Sequence, residues 1–224
     1  MSTVALHIKN LEIGFGKRSL VTIDHFSIKT GQLTALIGRN GVGKSTLLKK
    51  ISGLLAVEKG KIFIQEKDIT SFNPASLAKE LACVFHSRQT PPSLRVKTVV
   101  EMGRFAHGDA HTQMGEQIVN ESLTALGIHA MQEELIDHLS DGEFQKVAVA
   151  RAVAQKTTIL LLDEPTAHLD YIAREELIQQ LKTWAHEKNL AILFTSHDID
   201  LVHRYADCIW ELENGALTIR TSFV

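Results

Sequence analysis

Only two cysteines, Cys83 and Cys208, occur in this 224-residue chain. They lie far apart in apolar surroundings, which excludes a disulfide-stapled scaffold and leaves buried, reduced thiols. No apolar run approaches the ~20 residues that span a bilayer, so no transmembrane segment is expected. The stretch Met1-Ser2-Thr3-Val4 lacks a charged region followed by an apolar core, and no export signal is expected either. Neither sign of charge dominates. The formal net charge is −2, which removes the electrostatic footprint of a nucleic-acid binder. No internal repeat or low-complexity tract interrupts the chain. The apolar fraction of 44% is enough to fill the core of one large domain, or of a domain with a subdomain.

Against these absences stands one dense motif. Gly38-Arg39-Asn40-Gly41-Val42-Gly43-Lys44-Ser45-Thr46 matches G-x-x-x-x-G-K-[ST]. Its flanks fit a phosphate-binding loop. Leu33 to Ile37 is a short apolar run bounded by Gly31, which reads as a buried strand. Leu47, Leu48 and Ile51 recur at helical spacing as far as Gly53, a plausible C-cap. Glycines let backbone N–H groups curl around phosphates, and the helix start adds a partial positive charge. Lys44 is expected to reach the β- and γ-phosphates, and the Ser45 hydroxyl to ligate Mg²⁺.

The rest of the chain reads as alternating strands and helices. Val4, Leu6 and Ile8 alternate with Ala5, His7 and Lys9 as a half-buried strand, continued over residues 11–15. A second strand fits residues 22–28, and a third 61–64. Asn73-Pro74 caps a helix to about Leu81, and residues 82–85 form a short strand. Residues 86–92 form a polar loop, kept extended by Pro91 and Pro92. From 98 to about 137 the pattern is helical, with a loop over 108–115, and reads as a helical block inserted between two strands of a sheet. His107 and His111 lie just before and within that loop with no third ligand nearby, so a metal pair is not expected. Ser140 and Glu143 form an S-x-x-E capping box opening a helix to about Ala154. Residues 158–162 and 191–195 are continuous apolar runs typical of central parallel strands. Between them, Leu177, Ile178, Leu181 and Trp184 mark one face of a helix over 174–188. Asn214-Gly215 is a hairpin turn.

A second constellation sits at the ends of the later strands, the edge where open α/β sheets bind ligands. Asp163 ends one apolar run and is suited to hold Mg²⁺. Glu164 follows it and could orient or deprotonate an attacking water. His197 follows the next run.

Taken with the P-loop, three stretches carry a family resemblance. They are Leu139-Ser140-Asp141-Gly142-Glu143, Leu160-Leu161-Leu162-Asp163-Glu164-Pro165 and Thr195-Ser196-His197-Asp198. In this order and spacing they resemble the nucleotide-binding subunit of an ABC transporter along essentially the whole chain. The resemblance implies a single ATP-binding domain over 1–224. Its fold would be an α/β P-loop core with an N-terminal antiparallel β subdomain and an inserted helical subdomain over about 93–150. It implies ATP and Mg²⁺ as cofactors. Phe15 would stack on adenine, and Gly38, Arg39, Asn40, Gly41, Val42, Gly43, Lys44, Ser45 and Thr46 would hold the phosphates. Asp163 would serve Mg²⁺, Glu164 would be the general base, and His197 would contact the γ-phosphate. Asp170 would close the loop that crosses a dimer interface. Ser140 and Gly142 would contact the ATP of the opposite subunit. Two departures stand out. His86 occupies the place of the family's usual glutamine, with Gln89 three residues on. Asp141 and Glu143 replace a glycine and a glutamine of the usual Leu-Ser-Gly-Gly-Gln.

Val100 to His107 is similar to a segment of importers for iron-siderophore, haem or cobalamin cargo, where a Gly-Arg-aromatic-Pro-His string is frequent. Here Ala106 stands at the proline. The resemblance therefore implies an ATPase on the cytoplasmic face of the membrane. Its partners would be permease subunits, a second copy of itself and an extracytoplasmic substrate-binding protein, with no nucleic acid. The alternatives are an exporter subunit, a non-transport ATPase of the same family, and a regulatory subunit that binds nucleotide without turning it over.

Overall fold

The computed structural model describes residues 3–15, 18–85 and 93–221, and side chains for all of these except 15, 18–20, 220 and 221. His86 and Gln89 lie outside the described residues, as does the side chain of Phe15.

In chain order the strands are β1 (Val4–Phe15), β2 (Arg18–Lys29), β3 (Leu33–Gly38), β4 (Ile62–Ile64), β5 (Lys67–Asp68), β6 (Leu81–Val84), β7 (Ile159–Leu162), β8 (Ala191–Thr195), β9 (Cys208–Glu213) and β10 (Ala216–Thr221). The helices are α1 (Lys44–Ile51), α2 (Pro74–Glu80), α3 (Val96–Glu101), α4 (Gln113–Ala125), α5 (Asp141–Ala154), α6 (Tyr171–Lys188) and α7 (Ile199–Tyr205). The sheet order is β5-β4-β1-β2-β10-β9-β3-β8-β7-β6. Its first half is antiparallel, and β9-β3-β8-β7-β6 are parallel. β10 joins the two sets, antiparallel to β9 and linked to β2 by a single parallel bridge, Ala216 to Thr22. Helices α3 to α5 lie between β6 and β7 in the chain.

The parallel strands are apolar without alternation because both their faces are covered. Leu33, Ala35, Ile37, Leu160, Leu162, Ile192 and Phe194 face a core shared with α3, α4, α5 and α6. Leu36, Ile159, Leu161, Ala191 and Leu193 face a second core with α1, β1 and β2. The four expected apolar positions of α6 are all buried.

The expected alternation of β1 needs correction at two points. Val4 is exposed while Ala5 and Leu6 are both buried, and the pairing with β2 shifts register between Val4 and Leu6. The buried set then changes parity from Leu6 and Ile8 to Leu11 and Ile13, across Asn10 at φ 46°. The β1–β2 register is unbroken there, with Lys9 opposite His25 and Leu11 opposite Ile23, and the buried set of β2 changes parity too, from Ile23 to Ile28. The loop expected over 108–115 is also shorter. Thr112 accepts a hydrogen bond from Gly115 N at 3.1 Å and starts α4.

Candidate functional site

The phosphate loop forms at the corner between β3 and α1. Gly38 has φ 149°, and a Cβ there would stand 2.5 Å from the Leu212 carbonyl oxygen of β9, so only glycine leaves the strand at this point. Gly43, at φ 115°, takes the N-cap position of α1 and offers no capping side chain. The first-turn N–H groups of α1 are thereby left for another acceptor, the arrangement that suits an anion. Arg39, Asn40 and Gly41 form the exposed crown of the loop. Lys44 is 6% exposed and donates to the Gly38 and Arg39 carbonyls at 2.8 and 3.2 Å. Burial lowers the pKa of its ammonium, and the charges of Glu164 and Asp163 oppose that shift. The P-loop cation and the two carboxylates thus share one electrostatic site.

Asp163 leaves β7 with its N–H bonded to the Val84 carbonyl at 2.8 Å, and it stays 6% exposed. Its Oδ1 accepts from the Thr195 hydroxyl at 2.8 Å. That hydroxyl in turn accepts from the Glu164 backbone N–H at 2.8 Å. Glu164 has φ 52°, a left-handed conformation that carries strain in a residue other than glycine. His197, just past β8, lies with Nε2 2.8 Å from Glu164 Oε1. A carboxylate only accepts, so the imidazole N–H donates. Both side chains open to solvent, at 46% for His197 and 36% for Glu164.

The Ser140 region is also as the sequence indicates. Ser140 caps α5, and the box is closed at both ends. Glu143 N donates to Ser140 Oγ at 3.3 Å, and Ser140 N donates to Glu143 Oε2 at 2.9 Å. The Ser140 hydroxyl also donates to Glu143 Oε2 at 2.6 Å, and these bonds hold the Glu143 carboxyl below its ordinary range. A Cβ on Gly142 would stand 3.0 Å from the His168 carbonyl oxygen, so this glycine lets α5 approach the 167–170 loop closely. Asp170 caps α6 by accepting from Ala173 N at 2.9 Å.

The Gly103-Arg104 string has a structural job. A Cβ on Gly103 would meet the Arg151 carbonyl at 2.3 Å. Arg104, 3% exposed, pairs with Asp109 through two bonds of 3.0 and 2.7 Å and donates to the Ala154 carbonyl at 2.8 Å. His107 Nε2 bonds the Gln155 carbonyl at 2.9 Å. The string therefore caps the last carbonyls of α5, where helices otherwise leave them unpaired. No group of three or more potential metal ligands occurs among the described residues.

One residue of the site was not anticipated from the sequence: Thr195. In the sequence it stands as the first residue of the Thr195-Ser196-His197-Asp198 stretch, a hydroxyl at a strand exit two positions before His197.

A glycine loop at a strand–helix corner, with a lysine, two carboxylates and a histidine around it, defines a P-loop nucleoside triphosphatase. The chain belongs to the ABC transporter family, whose ATP-hydrolysing domain it matches over residues 21–167. It is 39% identical to an uncharacterised ABC transporter ATP-binding protein of Methanocaldococcus jannaschii, over 93% of this chain and 73% of that one. It is 33% identical to the iron(3+)-hydroxamate import ATP-binding protein of Bacillus subtilis, over 95% and 80%. It is 31% identical to the ferric enterobactin transport ATP-binding protein of Escherichia coli, over 96% and 81%. Among solved structures it superposes on a metal-chelate type ABC transporter in an inward-facing conformation. The TM-score is 0.81 at 25% identity, over 98% of this chain and 83% of that one. A dimeric ATP-binding cassette holding ADP and Pi matches with a TM-score of 0.86 at 25% identity, over 98% and 99%.

Proposed function

We propose that this chain is the ATP-hydrolysing subunit of an importer for a metal chelate of the iron-siderophore, haem or cobalamin type. It would be docked at the cytoplasmic face of a separate permease and fed by an extracytoplasmic substrate-binding protein. The observation that carries the ATPase reading is the Glu164–His197 contact of 2.8 Å, beside a buried lysine that feels both Asp163 and Glu164. Support for the chelate comes from the relatives that import ferric hydroxamate and ferric enterobactin. The chain acts as one cassette, with residues of about 93–150 as its helical insert.

ATP binds with its phosphates over the 38–46 loop, where backbone N–H groups and Lys44 take the negative charge of the β- and γ-phosphates. Phe15 stacks on the adenine. The Ser45 hydroxyl and the Asp163 carboxylate are hard oxygen donors, the set that suits Mg²⁺, which supplies charge neutralisation between the phosphates when bound. Glu164 takes a proton from the attacking water as its oxygen bonds to the γ-phosphorus. The bond to the bridging oxygen breaks, releasing ADP and phosphate. His197 holds the Glu164 carboxylate until nucleotide arrives, then turns to the γ-phosphate. Two copies close around two ATPs, with Ser140 and Gly142 of each meeting the nucleotide of the other and Asp170 at the crossing. His86 or Gln89 takes the place of the family's usual glutamine at the nucleotide site.

The test is affinity purification of the full chain from membranes, with turnover measured on what is recovered. A polytopic membrane protein should accompany it, and a metal chelate presented with its binding protein should raise ATP turnover. Recovery with soluble proteins alone, or turnover indifferent to every chelate, would overturn the transport reading.

A further inference from the structure

Thr195 ends β8 and is fully buried. A hydroxyl has one hydrogen, and here it is committed to Asp163 Oδ1 at 2.8 Å. Its oxygen accepts the Glu164 N–H at 2.8 Å. One side chain therefore fixes a carboxylate orientation at one residue and the backbone at the next. Two residues on, His197 holds the carboxylate of Glu164. The exit of β8 thus grips Glu164 at both ends, and the grip on its backbone falls where φ is 52°. No other hydrogen bond described for the Glu164 N–H competes with this one.

We propose that Thr195 is a positioning residue for the hydrolysis reaction. Through one hydroxyl it presets the Asp163 carboxylate to receive the divalent cation and the Glu164 main chain to aim the base. The inference rests on the ATPase reading above, and it assigns to Thr195 no contact with nucleotide.

Three variants of the full chain test it: T195V, which exchanges the hydroxyl for a methyl, T195S, which keeps the hydroxyl, and E164Q. Outer partners of a metal-binding carboxylate typically alter metal affinity or activity about 10–100-fold. Mn²⁺ binding in the presence of a non-hydrolysable ATP analogue, followed by electron paramagnetic resonance, should weaken about tenfold in T195V and stay within about twofold of wild type in T195S. Turnover should fall about thirtyfold in T195V with KM for ATP within about threefold of wild type, and T195S should recover it. T195A is read in place of T195V if the valine variant does not fold. Wild-type Mn²⁺ affinity in the hydroxyl-free variant overturns the proposal, as does a loss in T195S equal to that in T195V. E164Q separates this from the parent reading. It should bind Mn²⁺ normally and not turn over, and if it hydrolyses ATP the base assignment fails while the titration still decides Thr195.

Discussion

His197 Nε2 lies 2.8 Å from Glu164 Oε1, so the candidate switch and the candidate base hold one another across the ends of adjacent parallel strands. The contact fixes the base without burying it, since both side chains remain partly open to solvent. His197→Ala should therefore leave ATP binding intact and slow hydrolysis about 10²-fold, the scale of a lost acid–base partner. Nucleotide titration and a phosphate-release assay separate the two effects. A proportional loss of binding would remove His197 from the γ-phosphate.

Lys44→Ala should do the reverse. The ammonium is buried over the loop carbonyls, and charged hydrogen bonds contribute about 1.5–3 kcal/mol, which corresponds to about a 10–100-fold rise in Kd for ATP. Isothermal titration calorimetry should show this weakening. An unchanged Kd would contradict the phosphate-cradle reading.

The Arg104–Asp109 pair should matter for stability rather than for turnover. Arg104 is buried and Asp109 is partly open, so the pair lies between the buried and surface cases. Asp109→Asn should destabilise the fold by about 2 kcal/mol, less than a fully buried pair because solvent screens Asp109. Arg104 holds the Asp109 carboxyl below its ordinary range. A depressed carboxylate contributes stability above its unfolded pKa and loses it as pH falls through the folded one. The gap between wild type and Asp109→Asn in urea unfolding should thus close on acidification. A gap independent of pH would contradict the ion-pair account.

Ser140→Ala removes the N-cap of α5 and the anchor of Glu143. A lost cap costs about 1 kcal/mol. The Glu143 contribution is present above the ordinary carboxylate range and is lost below it, because its hydrogen bonds to Ser140 lower its pKa. Urea unfolding at neutral and acid pH should show the larger deficit at neutral pH. A Ser140→Ala variant as stable as wild type would leave the cap without energetic weight.

Local chemistry was readable from the sequence, and long-range chemistry was not. The Ser140–Glu143 box, the Asn73 cap and the Asn214-Gly215 turn each depend on residues within a few positions, and all three are present. The β4–β5 hairpin has no sequence signature because its turn uses Gln65 and Glu66 at positive φ, where Asn or Gly is the usual sign. Helix α7 is only seven residues long, too short for a clear helical period, and is capped by Asp198 beside His197. Gly103 and Arg104 stood out as a family string, yet their work on the carbonyls of α5 crosses about fifty residues of chain. Thr195 bonds residues more than thirty positions away, and no local pattern encodes that.

The most direct test of the account is the rate of ATP hydrolysis by Glu164→Gln at nucleotide concentrations that saturate both it and wild type. The amide keeps the size of the side chain and removes the base. Loss of the base predicts a rate about 10²–10⁴-fold below wild type, with ATP affinity unchanged and the variant accumulating as an ATP-bound dimer. Hydrolysis at the wild-type rate would contradict the assignment of Glu164, and with it the mechanism built on its contact with His197.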